Sequence, residues 1–170
     1  MKVAPVFEGD RKNSIVIKGG AFDRSTTTSK RGAEYLSSDF GHETETFWKF
    51  THGGGVHELK FDLACPEPRP IVIKISHHLL GEILLTDSTK GLFEGSGWIL
   101  YGPATTTNGG WTDFEWKHIG FIDLGPAREI EFGILTQGFC PNIKHLCFTP
   151  AEGRESTLTL SKHIGCCTIL

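Results

Sequence analysis

The sequence predicts an all-β protein, an antiparallel β-sandwich of the jelly-roll type, and three observations carry that prediction. Apolar residues alternate with polar ones at period two through several short stretches, as in His57, Leu59, Phe61 and Leu63 set between Glu58, Lys60 and Asp62, which is strand and not helix periodicity. Glycine and proline turn signals recur about every 8 to 12 residues, the spacing of about eight to ten short strands. The composition agrees, with 21 Gly and 12 Phe but one Met among 170 residues, a balance that favours tight turns and aromatic strand faces.

Taken in order, residues 14–18 form a first strand and the polar stretch 23–31 reads as a loop. Residues 33–36 predict a short strand and residues 46–51 a longer one, with Phe47 and Trp48 adjacent. Gly53-Gly54-Gly55 turns the chain into the alternating stretch 56–63. Pro66, Pro68 and Pro70 then force an extended connection, followed by alternation over 71–76. The aliphatic run 77–85 is the one segment open to a helical reading, which Gly81 weakens. Gly109-Gly110-Trp111 is a loop. Phe114, Trp116 and Ile119 make one strand, Phe121 and Leu124 a second, and Gly125-Pro126 a turn before the alternating Ile130, Phe132 and Ile134. Gly138, Pro141 and Asn142 signal another loop, and Ile143, Leu146 and Phe148 close a final strand. One sandwich domain over 1–155 is expected, with 156–170 as a tail or terminal strand.

Several function classes are disfavoured at this level. With 17 basic against 20 acidic residues and a net charge of −3, the chain lacks the clustered Lys and Arg of a nucleic-acid binder. No run approaches the roughly eighteen apolar residues of a membrane span, and MKVAPVFEGDRKN holds no apolar core of signal-peptide length, so a cytoplasmic location is expected. Cys65, Cys140, Cys147, Cys166 and Cys167 are odd in number and lack a Cys-x-x-Cys pair, which argues against a disulfide framework or a structural zinc. Buried free thiols are the expectation, a Cys140–Cys147 bridge the alternative in an oxidising compartment.

Catalytic constellations are missing too. There is no His-Glu-x-x-His, Gly-x-Ser-x-Gly or phosphate loop. His77 and His78 are adjacent, so on a strand their rings point to opposite faces. His42, His52 and His57 lie around the glycine turn, but scattered histidines are the ordinary explanation. Glu43, Glu45, Glu58, Asp113 and Glu115 are carboxylates without a defined separation. The expectation is a non-enzyme.

The stretches TFWKFTHGGGVHELKFDL, GGWTDF, IGFIDLGPAREIEFGI and GFCPNIKHLCF resemble, over roughly residues 30–150, the family 6 and family 35 carbohydrate-binding modules, whose fold is the galactose-binding-domain-like β-sandwich. The resemblance implies a non-catalytic module that binds a glycan in a cleft formed by loops at one end of the sandwich. By position, Trp111 matches the loop Trp, Tyr35 the aromatic that faces it, and Asn142 the final-loop Asn. Neighbours such as Asp113, Asn108 and Gln137 would set specificity. The chemistry suits a sugar, because a pyranose has an apolar C–H face for a flat ring to cover and a hydroxyl rim for amide or carboxylate groups to satisfy.

Each of these residues also has a plainer reading: Trp111 packed over the sandwich edge, Asn142 as a turn former, Tyr35 as half-buried strand packing. Trp48 and Trp116 read as packing, and Trp98 as either. The family also carries a structural calcium site built from an acidic first strand and an acid near the final Asn. Here the first strand offers Glu8 and Asp10, and Lys144 stands near the Asn, a change that removes a ligand and adds like charge. These departures disfavour a structural calcium, and no cofactor is expected.

The chain ends Cys166-Cys167-Thr168-Ile169-Leu170, a C-a-a-X pattern in which Cys167 would carry a prenyl chain and Cys166 a palmitoyl chain. This supports an alternative, a cytosolic protein-interaction scaffold on the same sandwich, membrane-associated only if Cys167 is lipidated. The chain end otherwise reads as a terminal apolar strand.

Overall fold

The computed structural model describes residues 13–27, 29–37, 43–67, 69, 71–77, 81–82, 99–101, 106–126, 128–136, 138 and 140–153. Among them run the strands β1 (Ile15–Lys18), β2 (Arg24–Ser25), β3 (Thr44–His52), β4 (Val56–Ala64), β5 (Ile71–His77), β6 (Gly81–Glu82), β7 (Ile99–Tyr101), β8 (Glu115–Asp123), β9 (Arg128–Thr136) and β10 (Asn142–Pro150). They form two sheets, one ordered β1-β10-β4-β8 and the other β2-β3-β9-β5, with β6 and β7 both pairing to β5. Every pairing is antiparallel. The all-β sandwich expectation is met.

Alternation decides which face each sheet turns inward. Leu59, Phe61 and Leu63 of β4, Leu146 and Phe148 of β10, and Ile119 and Ile122 of β8 come from one sheet. Trp48 of β3, Ile130, Phe132 and Ile134 of β9, and Ile71 and Ile73 of β5 come from the other, and together they form one buried core. Each such side chain contributes about 1.5–3 kcal/mol when removed from water. Phe132 sits at the centre, its ring 5.1 Å from Phe148 and 6.4 Å from Phe61, both edge-on, and 6.3 Å from Trp48. Edge-to-face packing matches the quadrupoles of the rings. Trp48 is core as expected, and its indole N–H donates to the Gly19 carbonyl at 3.2 Å.

Phe47 points the other way. It is buried on the outer face of the second sheet, beneath the Arg24 guanidinium 3.5 Å above its ring. Its register partner is Gly133, and a Cβ at that position would collide with the Phe47 ring. Glycine at 133 makes room for phenylalanine at 47.

Some sequence-derived elements differ. Residues 33–36 do not form a strand: Tyr35 lies in a bend, and Leu36 alone bridges Ile143 through a reciprocal pair of backbone bonds at 2.8 and 2.9 Å. The two strands expected around Ile119 and Phe121 are one, β8. Its register slips where Leu59 pairs Gly120 and Lys60 pairs His118, leaving Ile119 as the extra residue of a β-bulge. A second bulge at Lys144 separates the Ile143 and His145 pairings in β10. A bulge adds one residue and resets alternation, which is why Ile119 and Ile122, and likewise Ile143 and Leu146, face the same core at a spacing of three. Asn142 opens β10 opposite Ala64 and is not a loop residue.

In the aliphatic run 77–85, Gly81–Glu82 is strand and pairs with β5. Cys65, Cys140 and Cys147 are buried free thiols. Glu8, Asp10, His42, Trp98, Gln137, Cys166, Cys167 and the tail 156–170 lie outside the described residues.

Candidate functional site

One end of the sandwich gathers the exit of β4, the entries of β8 and β10, and the bend at Tyr35. The loop that carries Trp111 is fastened there at several points. At its start, the Thr107 amide donates to the Cys65 carbonyl and the Cys65 amide to the Thr107 hydroxyl, both at 2.8 Å. The loop is thereby zipped to the end of β4.

The Asn108 amide donates to Glu115 Oε1 at 2.9 Å. Glu115 also holds Lys117 at 2.9 Å. The Lys117 hydrogen bond, then the Asn108 amide, hold the Glu115 carboxyl below the usual carboxylate range, because donors favour the ionised form. Asp113 is exposed, and its Oδ2 accepts the Gly110 amide at 2.6 Å while its own amide donates to the Gly110 carbonyl at 3.2 Å. A Cβ at Gly109 would run into the Asp113 side chain, so glycine there lets the carboxylate close the turn.

Trp111 is partly exposed at the turn that follows. Asn142 Nδ2 donates to its carbonyl at 2.6 Å, tying the loop to the first residue of β10. The Arg69 guanidinium lies 3.8 Å from the centre of its ring. Arg69 Nη1 donates at 2.6 Å to the carbonyl of Cys140, a fully buried residue, and the Arg69 side chain is 14% exposed against 72% for Glu67, 4.0 Å away. The guanidinium thus lies against one face of the partly exposed indole. The Tyr35 ring packs on Phe114 at 5.4 Å, and Lys144 Nζ stands 5.3 Å over the same ring while pairing Glu34 at 3.2 Å.

The described site residues Asn108, Trp111, Asp113, Asn142 and Tyr35 therefore fall at one end, in two clusters. Asn108, Trp111, Asp113 and Asn142 belong to a single hydrogen-bonded loop system. The ring partner of Tyr35 there is Phe114. Sequence reasoning missed Arg69, whose only outward sign is a lone cation between Pro68 and Pro70. Phe114 and Lys144 also gain their places only through the fold.

Burial pushes the Cys140 thiol up to about 12 and raises that of Cys65, the reverse of what a nucleophilic cysteine requires. On the outer face of the first sheet, the acids are paired with bases: Asp62 with His145 at 2.9 Å, and Glu58 with His118 at 3.0 Å and Lys60 at 3.8 Å. Trp116 stacks on His145 at 6.1 Å. Among the described residues, no three or more His, Cys, Asp or Glu converge on a point that would hold a metal. Lys144 Nζ is engaged by Glu34 and stands over the Phe114 ring.

Neither a protein family nor a curated protein matches the sequence. Among solved structures the chain is similar to the C-terminal CBM6 of LamC, a marine laminarinase from Zobellia galactanivorans. That likeness has a TM-score of 0.53 at 11% identity and covers 81% of this chain and 99% of the other. The shared element is the β-sandwich fold. A family 35 carbohydrate-binding module from Clostridium thermocellum is similar at a TM-score of 0.45 and 15% identity, covering 82% of this chain and 89% of that one. A Podospora anserina GH26-CBM35 β-(1,4)-mannanase is similar at 0.49 and 10%, covering 85% of this chain but 29% of that longer one.

Proposed function

We propose that this protein is a non-catalytic glycan-binding module whose binding surface is the solvent-facing side of Trp111 at the loop end of the sandwich. The observation that carries the reading is the placement of that indole: partly exposed, backed on one face by Arg69, and held by its carbonyl to Asn142. A flat apolar ring held this way suits the C–H face of a pyranose, and loop groups such as Asn108 and Asp113 stand near enough in the chain to meet its hydroxyl rim. The likeness in fold to the CBM6 of LamC supports the same reading.

Among the described residues of this end, burial raises the Cys65 and Cys140 thiols and the Gly110 amide engages Asp113, which supports binding without chemistry. The test is a glycan array followed by calorimetry with laminari-, manno- and xylohexaose, comparing the wild type with Trp111→Ala. At least one glycan is expected to bind the wild type and to lose about 30-fold or more in affinity with the variant, the range of an interface hot spot. Binding of no glycan, or binding indifferent to Trp111, would overturn the proposal.

A further inference from the structure

We infer that Arg69 is the positioning residue of the Trp111 surface: it fixes the plane of the indole and so determines which face a glycan meets. The inference rests on the glycan-binding reading above and deepens it. Four residues close a ring of contacts. The Arg69 guanidinium stacks on the Trp111 indole at 3.8 Å, Asn142 Nδ2 holds the Trp111 carbonyl at 2.6 Å, Asn142 stands two residues beyond Cys140, and the Cys140 carbonyl accepts from Arg69 Nη1 at 2.6 Å. Backbone and ring of Trp111 are thereby fastened to the same short segment, 140–142, by two independent tethers.

Without the second tether, a Trp that follows two glycines keeps its χ1 and χ2 freedom, and any partner stacking on it must freeze that motion at a cost in affinity. A planar guanidinium suits the task because it stacks flat on an aromatic face while its fork of N–H groups reaches a carbonyl in the same plane. With its side chain 14% exposed, Arg69 is shielded from a ligand and acts through the indole. It lies about forty positions from Trp111 in the chain, in the proline-flanked stretch that follows β4, so the fold alone brings the two together.

The test compares wild type, Arg69→Met, Arg69→Lys and Trp111→Ala on the same laminari-, manno- and xylohexaose panel, at a temperature where circular dichroism shows each folded. Trp111 indole N–H resonances are recorded alongside by NMR. Arg69→Met keeps the apolar stem but loses the charge and the fork, and is expected to weaken binding about 3- to 10-fold, with the Trp111 indole resonance broadened or split. Arg69→Lys, which restores a cation over the ring without the planar fork, is expected to recover part of that loss. A merely structural role would lower the melting temperature without broadening the indole resonance and without rescue by lysine. Unchanged affinity in Arg69→Met beside a weakened Trp111→Ala would overturn the role of Arg69 alone, whereas an unchanged Trp111→Ala would overturn the glycan reading itself.

Discussion

At the end of the sandwich where β3 turns into β4, backbone fastens backbone. The Gly55 amide donates to the Gly125 carbonyl at 2.8 Å, the Leu124 amide to the Gly55 carbonyl at 3.0 Å, and the Ala151 amide to the Val56 carbonyl at 2.9 Å. Three turns are joined through backbone groups, and the buried His52 and His57, their rings 5.9 Å apart and edge-on, add two short side-chain bonds, His52 Nδ1 accepting the Gly54 amide at 3.0 Å and His57 Nδ1 bonding the Gly55 carbonyl at 3.1 Å. At the opposite end the fastenings run largely through side chains: Thr107 to Cys65, Glu115 to Asn108, Asp113 to Gly110, Asn142 to Trp111 and Arg69 to Cys140. Backbone bonding satisfies the polar groups of a turn and leaves a generic closure. Side-chain bonding holds a loop in a shape the backbone alone would not specify, and here that shape presents an aromatic ring to solvent. The two ends thus differ in the balance of backbone and side-chain fastening, and the end richer in side-chain tethers is the one that carries Trp111.

The core joins the two ends, so its loss should fell both. Phe132→Ala, which removes the ring against which Trp48, Phe61 and Phe148 pack, is expected to cost about 3–5 kcal/mol. Urea unfolding would measure it, and a loss below about 1 kcal/mol would contradict the packing described. A sharper division comes from His57→Ala. His57 is 1% exposed and its Nδ1 bonds the Gly55 carbonyl at 3.1 Å, so the variant should lose about 1–3 kcal/mol. Hexaose affinity of the still-folded protein should not change, and a fall in affinity would erase the distinction between the ends.

The thiol at the loop end offers a third, pH-dependent view. Burial raises Cys140 to about 12, so between the ordinary thiol range and that value the unfolded chain releases a proton that the folded one keeps. Stability contributed by this neutral thiol is complete below the ordinary range and is lost as pH rises toward about 12. Site-resolved mass spectrometry should find Cys140 unlabelled by iodoacetamide at pH 8 in the native protein and labelled in urea. Native labelling would show that the loop end opens. The smallest effect expected is that of Asp113→Ala, an exposed cap on the Gly110 amide: about 1 kcal/mol or less in stability, with a few-fold loss of hexaose affinity as the Trp111 loop loosens.

How much of this was legible in the sequence follows from what sets each feature. Strands with unbroken alternation, such as β4 and β9, declare themselves because burial on one face imposes period two. The bulges at Ile119 and Lys144 break that period by one residue, so β8 reads as two strands and Asn142 reads as loop when it begins β10. Residues 33–36 have strand-like composition, but only Leu36 finds a partner in Ile143, and pairing partners are not a local property. At the candidate site, Gly109-Gly110-Trp111 announces a loop position through turn chemistry, and Pro141 marks the residue just before β10. The neighbour of Tyr35 depends on a bend whose direction no local pattern specifies. Arg69 is further from sight, since nothing in a proline-flanked arginine tells which ring it will cover.

The most direct measurement is a ¹⁵N NMR titration of the folded domain with whichever of laminari-, manno- and xylohexaose binds. Chemical-shift changes should concentrate on the Trp111 indole N–H, the Asn142 side-chain amide and the Gly110 backbone amide, while Gly55, Leu124 and Ala151 at the other end stay still. Changes centred on Trp116 and His118 of the sheet face, or on the Gly55 turn, with the Trp111 loop unmoved, would contradict the account.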